Sequence, residues 1–467
     1  LFEAEKMSLT MDAPSKQNLL RRLLLFTNKL GYQTRSFEAA AQKHATEIIY
    51  VTDRCHRLED PWGDRAIPVH FESAQSAAAS VVAALNGKSV DGLLALGDAP
   101  SVAAAYTARE LGISYNHPAS VEACRSKLRM REVFQQSGLN TPWFRVMNLD
   151  PLPEPALLGI SYPCVLKPLS LSASRGVIRA NNRDEFVSAA QRIRNLLESP
   201  EVRATREAHL DQIFVEGYIP GKEVAVEGLL TAGVVRVLAI FDKPDPLEGP
   251  YFEETIYVTP SSLTESQQLA IQKCAQDSAR AIGLTRGPVH VEFRIHGDGE
   301  AGTGVWPLEI AARPIGGLCA RALRFVENES QTLENKNATT QASIGLEELL
   351  LLHSLDLPVS TWMRERRASG VMMIPVPSSG ILESVQGEAA ARETPGITEL
   401  LITARLHDYI EAWPEGASYL GFLFAAAETP REVEQTLRDA HAKLRFTMIP
   451  RLPVQHPAQH ASGKSAR

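Results

Sequence analysis

From Arg22 to Leu111, short apolar runs and helical stretches take turns, and this alternation restricts the fold more than any other feature of the chain. Arg22–Phe26 reads as a buried strand, a helix follows over about Phe37–His44, and Glu47–Thr52 is a second strand. A helix near Ser73–Leu85 leads into a third strand, Gly92–Leu96, which ends in Gly97-Asp98; the helix Ser101–Leu111 closes the segment. Strands that alternate with helices pair in parallel and carry the helices on their faces. Residues 19–116 are therefore expected to form a Rossmann-like layer. The segment has no G-x-G-x-x-G, so no dinucleotide is assigned to it.

A second unit starts near Pro118. One helix is expected over Val121–Gly138, with Gly138 as its C-cap, and prolines punctuate 150–155. Strands follow at Tyr162–Lys167 and Gly176–Ala180, then a helix at Asp184–Leu197 and a strand at Gln212–Glu216. Val224–Phe241 reads as two strands joined by Thr231-Ala232-Gly233. A helix over Thr264–Ile282 precedes strands Val289–Ile295 and Val305–Ile310, which meet at a turn over 297–304. The last unit, about 355–450, mixes strands (Val371–Pro375, Leu420–Ala425) with a helix over Pro430–Leu444.

Charge narrows the partners. The 467 residues carry 48 Lys+Arg against 55 Asp+Glu, a net −7, which disfavours a protein built to hold a nucleic-acid backbone. Apolar runs fall short of the roughly 18 residues that span a bilayer, so no transmembrane helix and no membrane partner are expected. Five scattered cysteines (Cys55, Cys124, Cys164, Cys274, Cys319) fit neither a disulfide framework nor a zinc cluster and point to a reducing, cytoplasmic setting. The N-terminus has no signal-peptide pattern, and Met7 or Met11 is a candidate natural start.

Five features of the middle third carry chemistry. Lys127, in Ser126-Lys127-Leu128-Arg129, reads by itself as a solvated helical charge. Lys167 ends the apolar strand Val165-Leu166-Lys167-Pro168, where its desolvation is costly unless an anion meets it. The hydroxyl-rich stretch Ser170–Gly176, with Ser172 and Ser174, can aim backbone N–H groups at phosphate oxygens, although a plain hairpin turn explains it as well. Glu216-Gly217-Tyr218-Ile219-Pro220-Gly221 and Glu223 combine a strand end with a turn. Backbone there can meet a purine edge and Glu223 can accept from ribose hydroxyls; two exposed strand-end acids are the plainer reading. Glu292 and Glu309 each interrupt an otherwise apolar strand. Two carboxylates in one core repel unless a cation lies between them, and Mg²⁺ with nucleotide phosphates suits oxygen ligands. Arg313, four residues past Glu309, can reach a phosphoryl group or a carboxylate as a bidentate donor, or can serve as a structural partner of a glutamate.

In this order the residues resemble the ATP-grasp superfamily, by motif over about 118–325 and by layout over nearly the whole chain. The resemblance implies an α/β and α+β fold: an N-terminal tail (1–18), a Rossmann-like domain (19–116), a two-lobed ATP-grasp domain (117–350) with a lid at about 141–213, an associated C-terminal α+β domain (351–452) and a disordered tail (453–467). It implies ATP on Lys127, Lys167, Ser172, Ser174, Gly176, Glu216, Gly217, Tyr218, Ile219 and Glu223, with adenine at 216–219 and ribose at Glu223. Mg²⁺, with Mn²⁺ as an alternative, would lie on Glu292 and Glu309. The segments Asp242–Pro246 and Phe252–Tyr257, the stretch Glu309–Gly317 and the C-terminal Ser418–Phe422 look like the L-amino-acid ligase branch, which forms dipeptides. That branch implies amino-acid substrates held by Glu254, Gly316 and Gly317, Arg313 as the catalytic cation, and admits a homodimer. Ala311 stands where many superfamily members have a metal-binding Asn; the ligase branch also tends to small residues there, and the change leaves open whether one or two ions bind.

The expected reaction is ADP-forming. It activates an amino-acid carboxylate as an acyl phosphate and passes it to an amine, with a closing lid to exclude water. A biotin-carboxylase-type enzyme and a non-catalytic ATP-binding module are the alternatives.

Overall fold

The computed structural model describes residues 20–28, 32–53, 66–152, 159–296, 304–316, 318–328 and 343–450. The expectations for both tails, the turn at 297–304, Gly317, Cys55 and the candidate start residues lie outside the described residues.

The N-terminal alternation folds as a parallel sheet in the order Ala66–Pro68, Thr46–Thr52, Arg21–Thr27, Gly92–Leu96. Leu23 to Phe26 in its central strand are fully buried, because helices cover both faces. At the sheet's carboxyl edge, Gly97 (φ +116°) turns the chain directly into the helix Asp98–Leu111, so Asp98 occupies that helix's first turn.

The single helix expected over Val121–Gly138 is two. Pro118–Arg125 ends at Ser126, whose backbone is extended (φ −94°, ψ 108°) and whose hydroxyl accepts from the Arg129 N–H to cap Lys127–Gln136. The break places Lys127 at the first position of a helix. Gly138 carries the left-handed φ of +73° one residue beyond the second helix's cap.

The segment expected as a lid contains a four-stranded antiparallel sheet, ordered Phe144–Asn148, Gln212–Gly217, Cys164–Pro168, Ile178–Ala180, with the helix Arg183–Glu198 on one face. It has its own core of Met147, Leu166, Phe186, Ile193, Leu197 and Val215. The body is one eight-stranded sheet: Gly304–Ala311, Gly287–His296, Lys222–Thr231, Val234–Asp242, Ile256–Thr259, Ala368–Ile374, Gly421–Ala427, Ile397–Ile402. It runs straight through residue 350, since Ile256–Thr259 pairs with Ala368–Ile374. The C-terminal strands therefore extend the body's sheet, and one apolar cluster joins Leu25 and Phe37 to Phe241, Leu350 and Phe424.

Candidate active site

Lid and body face each other across a narrow pocket. Its walls bring together Lys127, Lys167, Ser172, Ser174, Glu216–Ile219, Glu223, Glu292 and Glu309. Gly176, at the end of the same loop, donates its N–H to Pro414 O at 2.8 Å.

The two glutamates meet through a β-bulge. Glu292 is the cross-strand partner of Glu309, while the next residue, Phe293, already pairs with Pro307. Leu308 is thus the extra residue, and the bulge turns Leu308 and Glu309 both toward the pocket. Burial and the neighbouring Glu292 push the Glu309 carboxyl above its usual range, and Glu309 has no ion pair among the described residues. Burial also acts on Glu292, but Lys243 and His290 outweigh it and hold that carboxyl well below the usual range. A half-buried carboxylate pair with one uncompensated member suits a hard divalent cation, so Glu292 and Glu309 fit Mg²⁺. Ala311, on Glu309's face of the strand and 3% exposed, adds no ligand atom.

Lys243 had no role in the sequence reading, yet it stands at the centre of the acidic groups. Its ammonium lies 2.8 Å from Glu223 and 3.2 Å from Glu292, and it also bonds Glu254. Carboxylate oxygens of those three glutamates lie within 4.8 Å of one another. Burial disfavours the Lys243 charge, but the three acids hold its pKa well above the ordinary value. Glu254 also accepts from the Tyr257 hydroxyl at 2.7 Å. Arg294 donates to Glu223 at 3.0 Å, to the Tyr218 hydroxyl at 3.0 Å and to Ile219 O at 2.9 Å, which fixes the turn between the strands Gln212–Gly217 and Lys222–Thr231.

Glu216 is no exposed strand-end acid. Arg131 donates to it at 2.7 Å and Lys167 reaches it at 2.6 Å, with Glu216 and Arg131 side chains each 3% exposed. Burial raises its pKa, but those two cations prevail and bring it to about 2. Lys127 donates to Leu171 O at 2.6 Å and so ties the first lysine to the loop. Burial and the nearby Lys167 hold the Lys127 ammonium below its ordinary value, against the pull of Glu309. In that loop Ala173 and Ser174 have φ of 56° and 53°, and Gly176 has +72° with room for no side chain, since a Cβ would meet Pro168 at 2.8 Å.

Arg313 donates from Nε to Asp98 Oδ1 at 2.6 Å and from Nη1 to Pro314 O. Burial disfavours its charge, but Asp98 raises its pKa above the ordinary range. Gly316 follows with open space around its Cα. Behind Glu292, His290 bonds the fully buried Glu227 at 3.2 Å and stands 3.6 Å from Glu292. Asp98, Arg131, Lys243, His290 and Arg294 were thus missed as functional positions. A charged residue inside an apolar strand is the signal that could have found His290 and Arg294, but nothing local pointed to Asp98.

Comparison with known proteins places the fold. The ATP-grasp domain family matches residues 160–322, and the L-amino acid ligase C-terminal domain 2 matches 372–448. Alanine–anticapsin ligase of Bacillus subtilis is 29% identical over 208 residues, 42% of this chain and 42% of that protein. The chain thus matches less than half the length of that curated relative. The crystal structure of an L-amino acid ligase from Bacillus licheniformis superposes with a TM-score of 0.70 at 26% identity, over 92% of this chain and 99% of that one. A Hydrogenobacter thermophilus biotin carboxylase domain, solved with MgADP and bicarbonate, shares the fold at a TM-score of 0.60 and 16% identity, over 91% of this chain and 90% of that one. The chain thus carries an ATP-grasp domain over 160–322 and an L-amino acid ligase C-terminal domain over 372–448, and it shares its fold with an L-amino acid ligase over 92% of its length.

Proposed function

We propose that the protein is an ADP-forming carboxylate–amine ligase that activates an amino-acid carboxylate and joins it to the amine of a second amino acid. One observation carries the reading: a single pocket gathers two lysines, a hydroxyl-rich loop and a cross-strand glutamate pair, beside an arginine that a neighbouring domain holds in place. Lys127, Lys167 and the loop N–H groups would bind the ATP phosphates, the 216–219 backbone the adenine and Glu223 the ribose. Glu292 and Glu309 would hold Mg²⁺, which when bound neutralises phosphate charge. A related fold solved with MgADP supports that cofactor pair.

The donor carboxylate oxygen attacks the γ-phosphorus, and the bond to the ADP oxygen breaks. The acceptor amine then forms the C–N bond, the C–O bond to phosphate breaks, and the nitrogen's proton leaves with the phosphate. Arg313 would hold the donor carboxylate and stabilise the tetrahedral intermediate, while Glu254, beside Gly316 and Gly317 in role, would take the donor ammonium. The lid would open to admit ATP and close again to keep water from the acyl phosphate. The four described cysteines are buried free thiols, which supports a cytoplasmic setting.

Hydroxylamine trapping tests the reading. ATP·Mg with a donor amino acid should yield an amino-acid hydroxamate and ADP. A bicarbonate-dependent ATPase without hydroxamate would replace this reading with the carboxylase one. Tight ATP binding without turnover would favour a binding module.

A further inference from the structure

Two parts of the site that lie on different segments share one buried residue. Glu227, in the strand Lys222–Thr231, is fully buried; its Oε2 lies 3.2 Å from His290 Nδ1 and accepts from the Ile315 N–H at 3.1 Å. Building on the ligase reading, we propose that Glu227 is a positioning residue. Through His290 it sets the Glu292 carboxylate, and through the Ile315 N–H it sets the arm that carries Arg313, so the metal side and the donor side of the site keep one spacing.

Strand register is the first argument. Across the strands Lys222–Thr231, Gly287–His296 and Gly304–Ala311, the residues Ala225, Glu292 and Glu309 form one row, and Glu227, His290 and Ala311 form the next row on the same face. His290 Nε2 lies 3.6 Å from Glu292 Oε1, so the imidazole reaches from the Glu227 row to the Glu292 row. Lys243 meets the same Glu292 oxygen at 3.2 Å, and together the two cationic partners decide which oxygen is turned back into the protein.

The arm supplies the second. Asp98 holds Arg313 by its guanidinium, which leaves the backbone beyond it to another partner. Glu227 takes the N–H of Ile315, two residues on, and Ile315 is 2% exposed in an apolar cluster with Ala225 and Leu229. Gly316 comes next, with open space around it, so Glu227 fixes the backbone just before the stretch proposed to meet the donor.

Cost is the third. Glu227 interrupts Val224–Leu230, a run that is otherwise apolar or glycine, and its Oε1 is buried without a partner among the described residues. A buried carboxylate with one idle oxygen is a poor device for stability alone. The two groups that its other oxygen orients account for it. Neither Glu227 nor His290 lines the nucleotide pocket, so both act through the residues they hold.

Mn²⁺ binding to the enzyme·ADP complex, followed by electron paramagnetic resonance, reads the Glu292 side; the donor KM in hydroxylamine trapping at saturating Mg²⁺ reads the arm. His290→Asn keeps a nitrogen near Nδ1 for Glu227 but puts none beside Glu292, so Mn²⁺ affinity should fall about tenfold while the donor KM stays within about twofold. His290→Gln carries its nitrogen near the Nε2 position and should recover most of that affinity. Glu227→Leu breaks both links and should weaken Mn²⁺ binding and raise the donor KM, each about tenfold, with metal-free ADP affinity within about twofold of the parent. Unchanged Mn²⁺ affinity in His290→Asn or in Glu227→Leu, even beside a lowered unfolding midpoint, would overturn the proposal, as would a loss in His290→Gln as deep as in His290→Asn or an unmoved donor KM in Glu227→Leu. Should Glu227→Leu fail to fold, the two His290 variants carry the decision. If the parent enzyme forms no hydroxamate with any donor, the ligase reading fails, and the Mn²⁺ measurement still decides whether Glu227 and His290 set Glu292.

Discussion

Asp98 Oδ1 accepts a hydrogen bond from Arg313 Nε at 2.6 Å, tying the first turn of an N-terminal-domain helix to the arm that follows Glu309. The Asp98 carboxyl is raised by burial but brought below its usual range by Arg313 and Lys127, so it is an anion held between cations.

That contact orients the residue proposed to hold the donor carboxylate. Arg313→Ala should abolish amide formation and leave ATP affinity unchanged. Asp98→Asn keeps the shape but loses the charge, and should lower kcat by about 10²-fold through a misplaced guanidinium. Asp98→Glu should recover part of that loss. Steady-state kinetics with ATP-binding calorimetry check this; full turnover in Arg313→Ala would remove the arginine from the mechanism.

Lys243, with its side chain 3% exposed, balances Glu223, Glu254 and Glu292. Lys243→Met removes the cation that the three acids share, leaving Arg294 on Glu223 and His290 near Glu292, and should cost about 3 kcal/mol in denaturant unfolding. Adding Glu254→Gln should return part of the loss, because it removes one of the repelling charges. A near-neutral Lys243→Met would show that the cluster is solvated in solution.

The sequence revealed the Glu292 and Glu309 pair because each breaks a strand that is otherwise apolar, and period two makes such an interruption visible. It could not reveal Asp98, which lies 215 residues from Arg313 and looks like an ordinary first-turn acid. The break at Ser126 was hidden because the apolar pattern runs on across it; only the serine's capping of the next turn marks it. Lys243 escaped notice for a different reason: its meaning depends on three acids from three other segments. The continuous eight-stranded sheet likewise rests on pairing between Ile256–Thr259 and Ala368–Ile374, which no local pattern encodes.

Acid stability should report the Glu216 ion pairs. Its folded pKa of about 2 lies below the ordinary value of 4.5, so the stabilisation is present above about 4.5 and is lost as pH falls through about 2. From about pH 5.5 to pH 3 this group should remove about 2 kcal/mol from the parent protein. The Glu216→Gln variant should lack that component in a urea series. Parallel pH profiles for the two proteins would contradict the assignment.

The lid grips the C-terminal domain at one short loop. Gly176 N–H bonds Pro414 O at 2.8 Å, Arg175 bonds Glu415 O at 2.5 Å, and Arg192 pairs with the Glu415 carboxylate. Glu415→Ala should change global stability by less than about 1 kcal/mol, since the pair is partly exposed. Proteolysis within 170–176 should nevertheless quicken, and ATP·Mg should restore protection. Unaltered cleavage would mean that the loop is held by other contacts.

The central claim is amide formation driven by ATP, and the direct measurement is phosphate release from ATP·Mg across single and paired amino acids, with bicarbonate alone as a separate condition. The account predicts release that needs an amino-acid pair and is matched by a new product with the mass of the dipeptide. Release with bicarbonate alone, or none with any pair despite tight ATP binding, would contradict it.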